Sequence, residues 1–338
     1  MKVSNYEPVG KEINTSLGGF LERHYSNKKN YEFFYSEYQS AYEFCIHSKH
    51  VSFYPVMATE GNEFLGHIAL ILDDRLSDVE AFFGFFEVAD DFEVFNELWN
   101  QLLALARTHN VKKLKGPVNG SIWHQYRCIK EDHGAAYFKT EPTTLPYYYD
   151  FLMQVSPTSE VTFSSGLRRS YTDVLKRLHT NEKDFEKLSV HGFKITRQKN
   201  IQPAQLLAIA QLSQAAFDSK SWGYTGLDSD EFKNLYTVDK INAHIDHIYL
   251  LHKNNKIIGY CSAMREGNTL ICKTICITPE FQGIGLGNML ALAIHEDAYN
   301  EGVTEIMYVL VRDGNQVYKY PTEDVEIFRR YSAFEYTL

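Results

Sequence analysis

The chain has 338 residues, a length that favours two domains at roughly 150 residues per domain. Apolar residues make up 44% of the chain and charged residues 23%, which is the composition of a globular protein with a full core and excludes disorder as its dominant state. The net charge of −9 disfavours a protein that holds nucleic acid through its phosphates, because such binding relies on clustered Lys and Arg. We expect no nucleic-acid partner.

Sorting and redox features predict a cytoplasmic protein. No apolar run approaches the length of about 18 residues that marks a membrane span. Residues 1–7 lack the apolar stretch of a signal peptide. The five cysteines form no C-x-x-C pair, which predicts reduced thiols. We therefore expect a cytoplasmic location and no membrane partner.

The first half of the chain predicts helices, then strands, then one amphipathic helix. In the helix, Phe95, Leu98 and Leu102 are spaced to form one buried face. The predicted elements are mostly helix over residues 1–55, strands over 51–57, 64–72, 79–88 and 112–118, and the helix over 92–109.

The second half predicts a mixed α/β domain. A hairpin turns at Asn254-Asn255, and Pro321 with Glu323 and Asp324 marks the start of a last helix. The predicted helices cover 168–188, 203–217, 288–301 and 322–332, and the predicted strands cover 193–197, 248–252, 256–265, 269–277 and 305–311.

The two halves share one order of elements. A strand at 79–88, a loop, a helix and a strand at 112–118 mirror the strand at 269–277, a loop, a helix and a strand at 305–311. No repeat of individual residues accompanies this order. Two copies of one architecture explain it most economically.

A glycine-rich loop joins the apolar strand at 269–277 to an amphipathic helix. Glycines at every second position, Gly283, Gly285 and Gly287, let backbone N–H groups approach an anion, and the helix N-terminus adds partial positive charge. A P-loop would need Gly-Lys-Ser/Thr at its end, and a dinucleotide fingerprint would need a glycine where Asn288 stands. The loop predicts a pyrophosphate site of a third kind.

The pattern Q-x-x-G-x-G after the strand resembles motif A of the GNAT acyltransferase superfamily, and the order of elements over 190–338 is similar to that fold. The resemblance implies two GNAT-like lobes of the α/β (α+β) class, each a mixed, mostly antiparallel sheet flanked by helices. The lobes would span 1–167 and 168–338. By resemblance, acyl-coenzyme A (acetyl-CoA or a relative) is held by the backbone of the loop and the strand, at Gln282, Gly283, Ile284, Gly285, Leu286, Gly287 and Asn288, with Ile275, Cys276 and Ile277 along the pantetheine arm.

The resemblance leaves the catalytic residues open. The family places a tyrosine four residues before a Gly-Phe pair, and here Arg329 stands four residues before Ala333-Phe334. Tyr331 and Tyr320 are the nearest phenols that could protonate the departing thiolate, and Asn315 fits the family's asparagine after its fifth strand. Lys273 is a candidate general base. Alternation along the strand places Cys276 opposite its neighbours, in the core.

The first lobe has a different loop, Ala89-Asp90-Asp91-Phe92-Glu93, which is acidic and lacks glycine. Negative charge at a helix start repels phosphate, so we expect this lobe to bind no coenzyme A. The turn at 116–127 looks similar to the N-terminal lobe of two-lobed bacterial GNAT proteins. That resemblance suggests that Trp123, Tyr126 and Arg127 line a substrate cleft, although packing of an interface would explain them equally well.

These observations predict an acyl-CoA-dependent N-acyltransferase that acts on a primary amine of a small molecule or amino-acid-like acceptor. An aminoacyl-tRNA-dependent transferase and a non-catalytic acyl-CoA-binding regulator are the alternatives. We expect no metal, because the histidines form no H-x-x-x-H pattern and the pair His244 and His247 is typical of a surface.

Overall fold

The computed structural model describes residues 1–7, 13–217, 222–314 and 325–338. Asn315 and Tyr320, two of the predicted site residues, lie outside the described residues. The described helices are α1 (Thr15–Tyr25), α2 (Tyr31–His47), α3 (Phe92–Thr108), α4 (Tyr148–Gln154), α5 (Thr172–His179), α6 (Glu182–Val190), α7 (Pro203–Ala216), α8 (Ser229–Leu235), α9 (Val238–His244) and α10 (Leu286–Asn300).

The described strands are β1 (Lys2–Asn5), β2 (Val51–Glu60), β3 (Glu63–Asp73), β4 (Glu80–Val88), β5 (Lys113–Gly116), β6 (Cys128–Asp132), β7 (Ser159–Arg168), β8 (Phe193–Gln198), β9 (His247–Lys253), β10 (Lys256–Glu266), β11 (Thr269–Ile277), β12 (Glu305–Arg312) and β13 (Val325–Thr337). A short 3-10 helix covers Pro279–Phe281.

The chain forms two compact units. Unit 1 comprises Met1–Phe163, Trp222–Gly226 and Arg329–Leu338, and unit 2 comprises Ser164–Ser221 and Leu227–Phe328. The chain first passes from unit 1 to unit 2 between Phe163 and Ser164, whereas the sequence analysis placed the boundary after residue 167. Two segments that the sequence analysis assigned to the second domain, Trp222–Gly226 and the C-terminal Arg329–Leu338, belong to unit 1.

Unit 1 contains a sheet in the order β1-β2-β3-β4-β5-β13-β7, with β6 paired to β13. Strands β4 and β5 run parallel, and the pairs β1–β2, β2–β3, β3–β4 and β13–β5 are antiparallel. Helix α3 packs on β2 and β3 through its buried face, which includes Phe95, Leu98 and Leu102. Its N-cap is Asp91, whose side chain accepts from the N–H groups of Glu93 and Val94.

Unit 2 contains a sheet in the order β7-β12-β11-β10-β9-β8. Strands β11 and β12 are parallel, and β8 to β11 form an antiparallel meander. Helix α10 packs on β9, β10 and β11, and α7 packs on β10 and β11. Each unit is therefore a mixed, mostly antiparallel sheet with packed helices, as the sequence predicted.

Two predicted helices differ from the structure. The helix expected at 322–332 is wrong, because Val325–Thr337 is the strand β13. The segment is rich in β-branched and aromatic residues, and its pairing with β5 and β6 overrides the acidic residues that suggested a helix start. The single helix expected at 168–188 is two helices, α5 and α6, which meet at Thr180 and Asn181.

Candidate functional site

The open edge of β11 is the first part of the site. β11 pairs with β12 only from Thr269 to Cys272 in the described residues, and the pairing with β10 shifts register at the next residue, Lys273. Beyond this bulge, the Thr278 N–H donates to the carbonyl of Ile258, the residue of β10 opposite it. The backbone groups of Thr278 therefore face β10, and successive residues of a strand direct their N–H groups to opposite sides. Because these directions alternate, the N–H groups of Ile275 and Ile277 point away from β10, into the gap where β12 has diverged.

The loop after β11 turns sharply at two glycines. Gly283 has φ 81° and Gly285 has φ 93°, a left-handed conformation in which L side chains are strained, and a Cβ at either position would meet nothing within 4 Å. The side-chain amide of Gln282 donates to the Ile277 carbonyl at 2.9 Å. The glutamine therefore ties the loop to the end of the strand.

The loop leaves donors available at the start of α10. Within the described ranges, the N–H groups of residues 283–287 donate to no protein acceptor, and the N-cap Gly285 offers no capping side chain. The first turn of the 15-residue helix α10 carries no acidic residue. Unpaired N–H groups at the positive end of a helix dipole form a site for phosphate.

The predicted cofactor residues occupy this strand, loop and helix start. Gln282, Gly283, Ile284 and Gly285 are exposed, Leu286 is buried and anchors the helix, and Gly287 and Asn288 are half-buried. The Ile275 side chain is 42% exposed, an apolar surface beside the gap. These residues are contiguous in space as well as in sequence, and they can hold an extended ligand with a phosphate end.

Cys276 has the buried position that alternation predicted, with 5% exposure. Burial raises the pKa of its thiol to about 12. A thiol with such a pKa is protonated at neutral pH, so Cys276 does not provide a nucleophile. Lys273 is exposed at the bulge of β11, beside the gap.

The structure corrects the assignment of Tyr331 as a catalytic acid. Tyr331 lies on β13, its side chain is fully buried, and its hydroxyl donates to Glu141 within unit 1. Arg329, two residues earlier on the strand, is fully buried and pairs with Glu141 and Asp132. Both side chains hold the C-terminal strand in unit 1. The β-branched and aromatic residues of β13 were the sequence signal for this strand.

Unit 1 fills the corresponding positions with its own side chains. The bond from the Ala89 N–H to the Leu65 carbonyl turns the backbone groups of Val88 away from β3, as those of Ile277 turn away from β10. The Val88 N–H donates to the Tyr148 hydroxyl at 2.9 Å, and the Tyr147 hydroxyl donates to the Val88 carbonyl at 2.7 Å. With Asp91 capping α3, this strand and helix start offer no free site for a phosphate ligand.

The three residues predicted for a substrate cleft lie in unit 1. The Trp123 indole donates to the Thr225 carbonyl at 2.7 Å. The Arg127 guanidinium lies over the rings of Tyr126 and Phe163, 3.9 and 4.0 Å from their centroids. Tyr126 and Arg127 line one cavity of unit 1, and Trp123 does not.

The sequence analysis missed a group of buried polar residues around the same cavity. Glu87, Tyr38 and Tyr148 line it with Tyr126 and Arg127. The signal was available, since Glu87 is the only acidic residue in the apolar run 81–88, and a lone acid in a buried strand needs polar partners.

Over the described residues, one group of three potential metal ligands is found, His179, Glu182 and Glu296, which is largely exposed and already forms ion pairs through both ring nitrogens of His179. We assign no metal to it. Among the helices in the described ranges, none is long and apolar enough to cross a bilayer.

Residues 244–320 match the family model described as an acetyltransferase (GNAT) domain, a span that contains β11, the glycine loop and α10. This part of the chain is therefore similar to a GNAT domain. No curated protein sequence matches it.

The solved structures support the fold described above. A tandem GNAT protein from the clavulanic acid biosynthesis pathway matches with a TM-score of 0.56 and 11% identity, over 99% of this chain and 98% of that one. A GCN5-related glucosamine N-acetyltransferase region of a fungal multi-domain β-N-acetylglucosaminidase matches with a TM-score of 0.54 and 10% identity, over 99% of this chain and 38% of that one. At these identities, the likeness concerns the fold alone.

Proposed function

We propose that this protein is an acyl-CoA-dependent N-acyltransferase that passes an acyl group, most simply acetyl, directly to a primary amine of a small acceptor. The observation that carries the proposal is the set of N–H groups at residues 283–287, which donate to no acceptor among the described residues and lie next to the open edge of β11. The GNAT match over 244–320 supports the acyl-transfer class.

The residues of unit 2 have distinct tasks in this reaction. The N–H groups of the loop and the start of α10 would hold the pyrophosphate. The backbone of Ile275 and Ile277 would pair with the pantetheine arm as an added strand does, and one of these N–H groups would polarise the thioester carbonyl. The amine nitrogen attacks the carbonyl carbon, the carbon–sulfur bond breaks, and the coenzyme leaves as a thiolate that takes up a proton. Positioning and carbonyl polarisation supply the catalysis.

We also propose candidates for the general base and for the acid that protonates the departing thiolate. Lys273 stands at the bulge beside the gap, where a neutral lysine would accept the proton of the attacking ammonium. Tyr320 and Asn315 keep their proposed roles toward the thiolate and the cofactor. We further propose a cytoplasmic location and a chain that works without nucleic acid, consistent with its net charge of −9.

An acyl-transfer assay tests the proposal. Release of the free coenzyme thiol from acetyl-CoA is followed with a panel of primary amines, for the parent chain and for Gly285→Glu. Gly267→Glu is the matched control, because Gly267 also has a positive φ, 60°, and open space around its Cβ position. We expect amine-dependent thiol release by the parent and the control and none by Gly285→Glu. Binding of acetyl-CoA without release across the panel would instead favour the regulator.

A further inference from the structure

A small cavity lies within unit 1, on the side of β4 that faces α2. Its walls combine aromatic rings with polar groups, among them Phe34, Phe86, Tyr126, Glu87, Tyr38 and Arg127. Gln125, Thr143 and Thr144 also line it and are half-buried, whereas Glu87 and Tyr38 are buried. The steps of the proposed acyl transfer are assigned to residues of unit 2 and to none of the residues that line this cavity.

Hydrogen-bond donors around the Glu87 carboxyl group favour its ionised form in this cavity. Its carboxyl is 4% exposed, and its Oε2 accepts from the hydroxyls of Tyr25 at 2.9 Å and Tyr148 at 2.8 Å. Two donors on one oxygen favour the carboxylate. Burial acts in the opposite direction and raises the pKa of Glu87 to about 8.

A negative charge on Glu87 would be incompletely balanced by the protein. Lys28 is the cation that acts on it, and its effect on the Glu87 pKa is smaller than that of burial or of either tyrosine. The Lys28 ammonium lies instead against Tyr137, 4.6 Å from the ring centroid. Ionisation of Glu87 would therefore be favoured by a further cation beside its carboxylate.

Two other buried groups of the cavity lack partners among the described residues. The hydroxyl of Tyr38, a residue 1% exposed, has no hydrogen-bond partner, and neither does Nε of Arg127, a residue 9% exposed. Buried polar atoms without partners are unfavourable unless something occupies the space beside them. The Tyr38 oxygen can accept from an ammonium, and the Arg127 N–H can donate to an oxygen.

We propose that this cavity of unit 1 binds a small ligand that carries a primary ammonium group and, a few bonds away, an acceptor oxygen. The ammonium lies against Glu87 and the Tyr38 hydroxyl, with the aromatic walls adding cation–π attraction. The oxygen accepts from Nε of Arg127. The site is independent of the acyl-CoA loop in unit 2, and its test does not require that loop.

Ethanolamine is the probe, because it carries both groups on a two-carbon chain. Calorimetric titration of the full chain at pH 7 compares it with ethylammonium, which lacks the oxygen, and ethylene glycol, which lacks the ammonium. We expect saturable binding of ethanolamine, weaker binding of ethylammonium and none of ethylene glycol. Because Glu87 is mostly protonated at this pH, binding of the cation should release about one proton, measured from the dependence of the heat on buffer ionisation.

Three variants locate the site. Glu87→Gln should weaken ethanolamine binding at least tenfold and abolish the proton release, and Tyr38→Phe, which keeps the ring, should weaken binding severalfold. Glu80→Gln on the same strand, where Glu80 pairs with Lys115 at 3.0 Å, should bind as the parent does. Gly285→Glu should also leave ethanolamine binding unchanged, whatever it does to acetyl-CoA. No saturable ethanolamine binding by the folded parent, equal binding of ethylene glycol, or unchanged binding by Glu87→Gln would each overturn the proposal.

Discussion

The side-chain amide of Gln282 donates to the backbone carbonyl of Ile277 at 2.9 Å, and this bond joins the glycine loop to the strand that precedes it. The Gln282 side chain thus connects the two parts of the proposed coenzyme site, the glycine loop and the end of β11. In the proposed complex, the loop would present N–H groups to the pyrophosphate, and the strand would present N–H groups to the pantetheine arm and the thioester. Their spacing must match one ligand, so the tie between them matters for binding.

Replacing Gln282 with Leu removes this tie while keeping a side chain of similar size. We expect acetyl-CoA affinity to fall about tenfold, which corresponds to about 1.4 kcal/mol. The loop is exposed, so the unfolding temperature should change little. Calorimetric titration and thermal unfolding measure the two quantities. An unchanged affinity would show that the loop holds its conformation without the glutamine.

Cys276 should be dispensable. Its thiol is buried, with a pKa raised by burial to about 12, so it is neither a nucleophile nor a proton donor at neutral pH. We expect Cys276→Ala to keep the rate of acyl transfer within about twofold of the parent, with only the loss of core packing lowering stability. An acyl-enzyme on Cys276, detected by mass spectrometry after incubation with acetyl-CoA alone, would contradict direct attack by the amine.

Glu141 should be essential for the stability of the C-terminal strand. Arg329 and Tyr331 both donate to it, and Glu141→Gln would leave the fully buried Arg329 guanidinium with a weakened counter-charge. Loss of one partner of a buried ion pair costs about 3–5 kcal/mol.

Glu131→Gln is the control for this variant. It breaks the neighbouring pair with Arg330, in which both side chains are about two-fifths exposed. We expect this variant to lose less than about 1 kcal/mol. Denaturant unfolding compares the two variants, and equal losses would refute the structural role given to the buried pair.

Asp91 should stabilise unit 1 without affecting the coenzyme. Its carboxylate caps α3 through the N–H groups of Glu93 and Val94, so Asp91→Ala should cost about 1 kcal/mol of unfolding free energy. Asp90→Ala, next to it but not the N-cap residue, serves as the control. Acetyl-CoA affinity should stay unchanged in both variants. A second acetyl-CoA bound by Asp91→Ala would mean that the cap alone had blocked a site in unit 1.

The buried Glu87 makes stability depend on pH. Its pKa in the folded chain, raised by burial to about 8, exceeds the ordinary value of 4.5, so the folded state keeps a proton that the unfolded state releases. The contribution of Glu87 to stability is therefore fully present below pH 4.5 and is lost as the pH rises to about 8. The slope is at most about 1.4 kcal/mol per pH unit.

Unfolding in denaturant at pH 5, 6.5 and 8 checks this dependence. Glu87→Gln cannot titrate, so its stability relative to the parent should improve steadily over the range. A difference between the two chains that stays constant with pH would show that Glu87 titrates near its ordinary value in the folded state.

Local patterns predicted much of the fold and the loop. Helix α3 was found because Phe95, Leu98 and Leu102 define one face, and the coenzyme loop was found because its glycines, strand and helix are contiguous. Strand β13 was missed because its partners lie far away in sequence, as when Phe334 pairs with Gly116. The cavity around Glu87 was missed for the same reason, since α2, β4, α4 and the segments over 117–127 and 142–144 line it together.

The assignment of Tyr331 illustrates the limit. The family's tyrosine lies on a helix, so its spacing before the Gly-Phe pair does not apply to a segment that forms a strand. On β13, the Tyr331 side chain points toward Glu141. The sequence could name the phenols, but only the pairing of β13 with β6 shows which of them is buried.

Calorimetric titration of acetyl-CoA into the purified full chain tests the central claim, that the glycine loop of unit 2 holds the coenzyme and unit 1 does not. We predict saturable binding of one acetyl-CoA per chain, abolished by Gly285→Glu and retained by Gly267→Glu. Two molecules bound per chain, or unchanged binding by folded Gly285→Glu, would contradict the account.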